Sequence, residues 1–169
     1  MIDEGKLENA ETKGPWHQLE EEFEGARNAF LADYKKDRRH PRNDAEDRSL
    51  NAAAESEYHN STEGRRRNWF QHIRNDFVRI GGSPGSISFG DRHYRKEHTL
   101  TWVNNGFSLA QIADTPEYIK FKQTVEQAGG HVRLEIRTAT LFENGREVQK
   151  EFIDVKFGKL DQPDSGQGA

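Results

Sequence analysis

Cysteine is missing altogether, which removes disulfide frameworks and thiolate metal sites from consideration. No apolar run approaches the roughly 20 residues that a membrane-crossing helix needs. The opening segment MIDEGKLENAETKG has no apolar core of the signal-peptide kind, so the expected compartment is cytoplasmic and no membrane partner is expected. Without a secretory signal, the sequon at Asn60-Ser61-Thr62 carries no weight. Hydrophobic residues are scarce as well, at 32%, against 32% charged. That balance leans toward the disordered side of globular composition. A phosphate-cradling loop is also lacking, since GGSPGS has neither the P-loop lysine nor the Rossmann spacing.

Aromatic side chains offset these shortages. Three Trp, four Tyr and ten Phe supply large rings, each of which buries much area. A length of 169 residues suits one domain with polar ends. The net charge of −4 is unevenly spread. Residues 1–34 hold nine acids against three bases, whereas residues 65–100 hold eight bases against three acids. The acidic start and the basic middle would attract each other or face different partners.

The stretch from His131 to Gly158 carries the strongest structural signal. Asn144-Gly145 favours a type I′ turn, which needs φ > 0 at both central residues. Folding about it sets Leu141 opposite Val148, Ile136 opposite Ile153, Leu134 opposite Val155 and Val132 opposite Phe157. One face then gathers Val132, Leu134, Ile136, Ile153, Val155 and Phe157, and the other gathers Arg133, Glu135, Arg137, Asp154 and Lys156. A slip of one residue would scatter the apolar set over both faces. Near the tip the pattern reverses, because Leu141 and Val148 fall on the charged side. An isolated hairpin is barely stable in water, so its apolar face must be covered.

Upstream, Trp16, Leu19, Phe23, Ala26, Phe30 and Tyr34 recur at helical spacing from Pro15 to about Lys36. Pro41 interrupts the basic run that follows. Residues 44–58 read as a second helix, and a third starts near Ser61, with Asn60 as its cap and Glu63 three residues on. Its buried stripe is Trp69, Phe70, Ile73, Phe77 and Ile80. Ser86–Phe89 and Glu97–Val103 read as short strands. Phe107–Ala113 reads as a helical turn, and Thr115-Pro116 opens a last helix that Gly129-Gly130 ends. The expected organisation is a loose tail over 1–14, three helices over 15–82, a β-β-α-β-β domain over 83–158 sharing one core with the helices, and a second loose tail over 159–169. The expected fold class is α+β, with helices on one face of an antiparallel sheet.

Three sets of residues suggest function. The first is the stripe Trp16, Phe23 and Phe30, which either packs on the domain or docks a partner protein. The second is Arg65, Arg66 and Arg67 with Arg92, Arg95 and Lys96, which would contact nucleic-acid phosphates if they converge. The third is the segment DRHYRKEH, where His93 and His98 would serve as acid and base and Arg95 would hold a phosphate in a metal-independent nuclease. The gross layout resembles that of barnase-like and toxin-type ribonucleases, which implies nothing about individual residues. The plainer reading is a hydrated loop whose charges discourage edge pairing.

Asp91, His93 and His98 would converge on a cation, but nothing requires it. The seven histidines form no i, i+4 pair flanking a Glu, so no metal and no cofactor is expected. A restriction-type nuclease would want an acid followed by Glu-x-Lys on adjacent strands, and Glu135-Ile136-Arg137 lacks the lysine. The leading expectation is an interaction or accessory protein binding a protein or nucleic-acid partner, of a style that suits a phage or plasmid. The nuclease is the alternative.

Overall fold

Pro15 pre-sets the backbone angle of a first helical turn and gives up only an N–H that has no partner there. Helix α1 accordingly runs Pro15–Lys36, with Lys35 and Lys36 in its last turn, where the helix dipole favours cations. The computed structural model describes residues 14–82 and 97–159. Helix α2 spans Asp44–Asn60. The Asn43 side chain accepts from the Glu46 N–H at 2.9 Å, and Glu46 in return accepts from the Arg42 N–H at 2.8 Å. Helix α3 spans Thr62–Gly82. Its cap is Ser61 rather than Asn60, because the Ser61 hydroxyl accepts from the Gly64 N–H at 3.1 Å. Asn60 is the last residue of α2.

The described residues fall into two compact units that divide between His72 and Ile73, inside α3. In the first, Leu19, Ala54 and Tyr58 are fully buried. Phe23 meets Phe70 at 6.1 Å between ring centroids, and Phe30 meets Tyr58 edge-on at 5.8 Å. Arg27 reaches from α1 to the Glu55 carboxylate on α2.

The second unit is built on three strands: β1, Glu97–Val103; β2, His131–Glu143; and β3, Arg146–Gly158. Between β1 and β2 lie α4, Leu109–Ala113, and α5, Pro116–Gln127. A reciprocal pair, Ser108 with Gln111, caps α4, and the Thr115 hydroxyl caps α5 by accepting from the Tyr118 N–H. Both neighbours of β3 run antiparallel to it, in the order β1-β3-β2. The fold class is therefore α+β. The strand expected at Ser86–Phe89 lies outside the described residues, so the sheet has three strands among those described.

The hairpin closes as its turn chemistry requires. Asn144 and Gly145 have φ of 53° and 76°, and the ladder pairs Glu143 with Arg146, Leu141 with Val148, Ile136 with Ile153, and Leu134 with Val155. Strand β1 adds Trp102 opposite Ile153 and Leu100 opposite Val155, so all three strands contribute apolar side chains to one face. Helices cover that face. Phe77 of α3 lies 5.2 Å from Trp102 and 5.3 Å from both Tyr118 and Phe121. Phe121 in turn meets Phe157 edge-on at 5.2 Å. The Trp102 indole donates to Asp76 at 2.7 Å. Arg74 of α3 grips Glu117 of α5 through two bonds of 3.0 and 2.7 Å. Burial pushes the Glu117 carboxyl upward, but this grip leaves it below the usual range.

Candidate functional site

The face of the sheet opposite these helices is a lattice of charges. Glu135 on β2 stands directly opposite Asp154 on β3. Arg137 donates to both Asp154 oxygens, at 2.8 and 3.4 Å, and the Thr101 hydroxyl donates to one of them at 2.8 Å. Glu135 is held by Arg133 at 2.7 Å and Lys156 at 3.4 Å. The Arg137 guanidinium also lies 4.9 Å from the Phe152 ring centroid. Because β3 is the central strand, Asp154 is enclosed from both sides and is only 4% exposed.

Looking along one strand for Glu-x-Lys missed what pairing creates across two: Glu135 faces an Asp-x-Lys run, Asp154-Val155-Lys156. Both carboxylates are spent on the basic side chains around them. No cluster of three His, Asp or Glu suited to a metal ion occurs among the described residues. The arrangement can brace a sheet face and present Arg133, Arg137 and Lys156 to solvent.

The Arg137 hydrogen bond holds the Asp154 carboxyl below the ordinary carboxylate range; burial opposes it and the Thr101 hydroxyl adds to it. A carboxyl lowered in the folded state contributes stability that is complete above its unfolded value, about 3.9, and is lost as pH falls through the folded value. Asp154→Asn is thus expected to be less stable than the parent at neutral pH. The gap should close as urea midpoints are followed from about pH 7 to about pH 3. A gap independent of pH would remove this assignment.

The other candidate residues lie apart from that face. His98 sits on the helix-covered side of β1, half-buried, its ring stacked on Phe157 at 5.3 Å. Arg92, His93, Arg95 and Lys96 lie outside the described residues. Arg66 turns its guanidinium over Phe23, 5.5 Å from the ring, and Arg67 lies 3.9 Å from Glu24. Arg65 is exposed. Phe23 is 6% exposed, Trp16 and Phe30 are half-buried, and Trp16 lies against His17 at 4.4 Å. Phe23 and Phe30 thus pack within the helical unit.

The reversed apolar pattern at the hairpin tip falls where β2 and β3 pair only with each other among the described strands. The last residue of β1, Val103, pairs with Phe152, whereas β2 and β3 continue pairing to Glu143 and Arg146. Residues 138–151 therefore form an arm beyond the three-stranded region, about 20 Å long at the usual rise per residue. Leu141 and Val148 pair with each other on it. Phe142 is 74% exposed and Leu141 36%.

The fold and this arm define a helix-backed antiparallel sheet with a projecting hairpin. No protein family, characterised protein or solved structure matches the chain. No described helix is long and apolar enough to cross a membrane.

Proposed function

We propose that this is an interaction protein rather than an enzyme, and that it engages another protein through the β2–β3 arm. The observation that carries the reading is Phe142, 74% exposed on a projecting hairpin with Leu141 beside it. Exposed aromatic and aliphatic side chains on a rigid element are the usual anchors of protein interfaces. The arm carries three Glu against one Arg and one Lys over 138–151. That balance suits a protein surface better than a phosphate backbone, whose binding rests on neutralising cations. The contact of the His98 ring with Phe157 supports this reading over a nuclease that would use it as acid or base.

The test compares capture from native lysate by the parent and by Leu141→Ser, Phe142→Ser. A protein retained by the parent should be lost from the double variant, with affinity weakened about tenfold or more and the circular-dichroism melt unchanged. Equal recovery by both chains, or retention of nucleic acid alone, would overturn the proposal.

A further inference from the structure

We infer that the outer edge of β2 pairs antiparallel with the same edge of a second copy of this chain, with Thr138 on the two-fold axis. The inference deepens the interaction reading and rests on it, since it names the arm's first partner.

The sheet order leaves β2 at an edge, and β3 is its ladder partner among the described residues. The strand has 13 residues, more than twice the usual length. An edge presents a row of N–H and C=O groups, and proteins blunt such rows with charged side chains (lysine above all), proline or bulges. HVRLEIRTATLFE contains no lysine and no proline, and the β2–β3 ladder runs without a bulge from His131 to Glu143. Among the described residues six large hydrophobics are exposed, and three of them, Ile136, Leu141 and Phe142, stand on this one strand.

Backbone phase and charge narrow the register, and the exposed ring of Phe142 selects it. A type I′ turn makes its flanking residues a hydrogen-bonded pair, so Glu143 and Arg146 bond to each other. Antiparallel pairs then alternate. Odd-numbered β2 residues turn their backbone groups toward β3, and even-numbered ones from Val132 to Phe142 turn theirs outward. A second strand can bond only with its own even-numbered residues opposite these. Centring the pair on Arg137 would set Arg137 against its own copy, and centring on Ala139 would set Glu135 against Glu143 of the second copy. Centring on Ile136, on Thr138 or on Thr140 opposes no like charges, but of these only Thr138 sets Phe142 against a large apolar side chain. That register places Arg133 against Glu143 of the second copy, twice, and Leu134 against Phe142 of the second copy, twice. The most exposed ring in the arm thereby gains an apolar partner.

The absence of cysteine makes the test clean. Thr138→Cys introduces a single thiol at the self-opposed position, where hydrogen-bonded partners have Cα atoms about 5.5 Å apart, within disulfide range. Under mild oxidation it should form covalent dimers at least about tenfold faster than Thr99→Cys, an exposed position on β1. The parent should sediment as a dimer. Thr138→Pro removes one outward N–H while sparing the β2–β3 ladder, and should sediment as a monomer with an unchanged circular-dichroism spectrum. Thr138→Val should remain dimeric.

A monomeric parent, or crosslinking no faster than the β1 control, overturns the inference. So does a monomeric parent whose even-numbered β2 amides resist hydrogen exchange, because another segment of the same chain would then hold the edge. If self-pairing fails while the Leu141→Ser, Phe142→Ser chain still loses a captured protein, the arm reading stands and only its first partner changes.

Discussion

Gly64→Ala should destabilise the helical unit by about 2 kcal/mol or more, while Gly25→Ala should stabilise it by up to about 1 kcal/mol. Gly25 lies in the interior of α1, where alanine is ordinarily favoured over glycine by about 1 kcal/mol, and Gly64 lies in the first turn of α3. The difference is space. A Cβ on Gly25 meets nothing within 4 Å. A Cβ on Gly64 would lie 1.9 Å from the Tyr58 carbonyl oxygen and 2.7 Å from its carbon. These are backbone atoms at the corner between α2 and α3, and that carbonyl is already committed. It accepts from the Ser61 hydroxyl at 2.5 Å and from the Ser61 N–H at 3.0 Å. Relief requires the corner itself to move, which breaks both bonds and the burial of Tyr58. Thermal melts of the two variants beside the parent give the signs directly. Equal stabilisation by both would show that the corner is loose and the close approach immaterial.

Phe77→Ala should cost about 3–5 kcal/mol, much of the 5–15 kcal/mol that holds a typical domain together. The ring is 1% exposed and stands among Trp102, Tyr118 and Phe121. It therefore joins α3 to both the sheet and α5. Truncation removes transfer energy and leaves a cavity that three stiff rings cannot close. Phe77→Leu keeps most of the volume and should cost under about 1.5 kcal/mol. Urea midpoints of the two variants measure the difference, and hydrogen exchange of the β3 amides assigns it to the sheet unit. A loss below about 1 kcal/mol in Phe77→Ala would show that the ring is not central to this core.

Local signals carried much of the fold. Asn144-Gly145 sufficed for the hairpin and its full register, because a two-residue turn leaves one pairing that keeps the apolar set together. Pro15 marked the start of α1, and Thr115-Pro116 marked the start of α5. Ser61 was misjudged by one position, since Asn60 and Ser61 are both good caps and only the run of α2 to Asn60 selects between them. The short α4 was legible only as a turn, although Ser108 and Gln111 hold its reciprocal cap. The reversed pattern at Leu141 and Val148 was visible, and β1 was read to its end at Val103, but nothing in the chain order says that Val103 meets Phe152.

The candidate site was legible in its residues and not in its assembly. Arg133, Glu135, Arg137, Asp154 and Lys156 were placed on one face, with no sign that any of them is enclosed. Asp154 is instead enclosed, because Thr101 reaches it from a strand 53 positions earlier in the chain.

Unaided, the amino-acid order determined what depends on neighbours in the chain: caps, turns, helical stripes and the register of a hairpin. Tertiary structure alone decided that β1 lies against β3 and not against β2. That choice buries Asp154, ends the three-stranded region at Val103 and leaves β2 at the edge of the described sheet. The reason is that contacts between distant segments are chosen by how whole faces fit, and such a fit is not encoded in the spacing of residues along either segment.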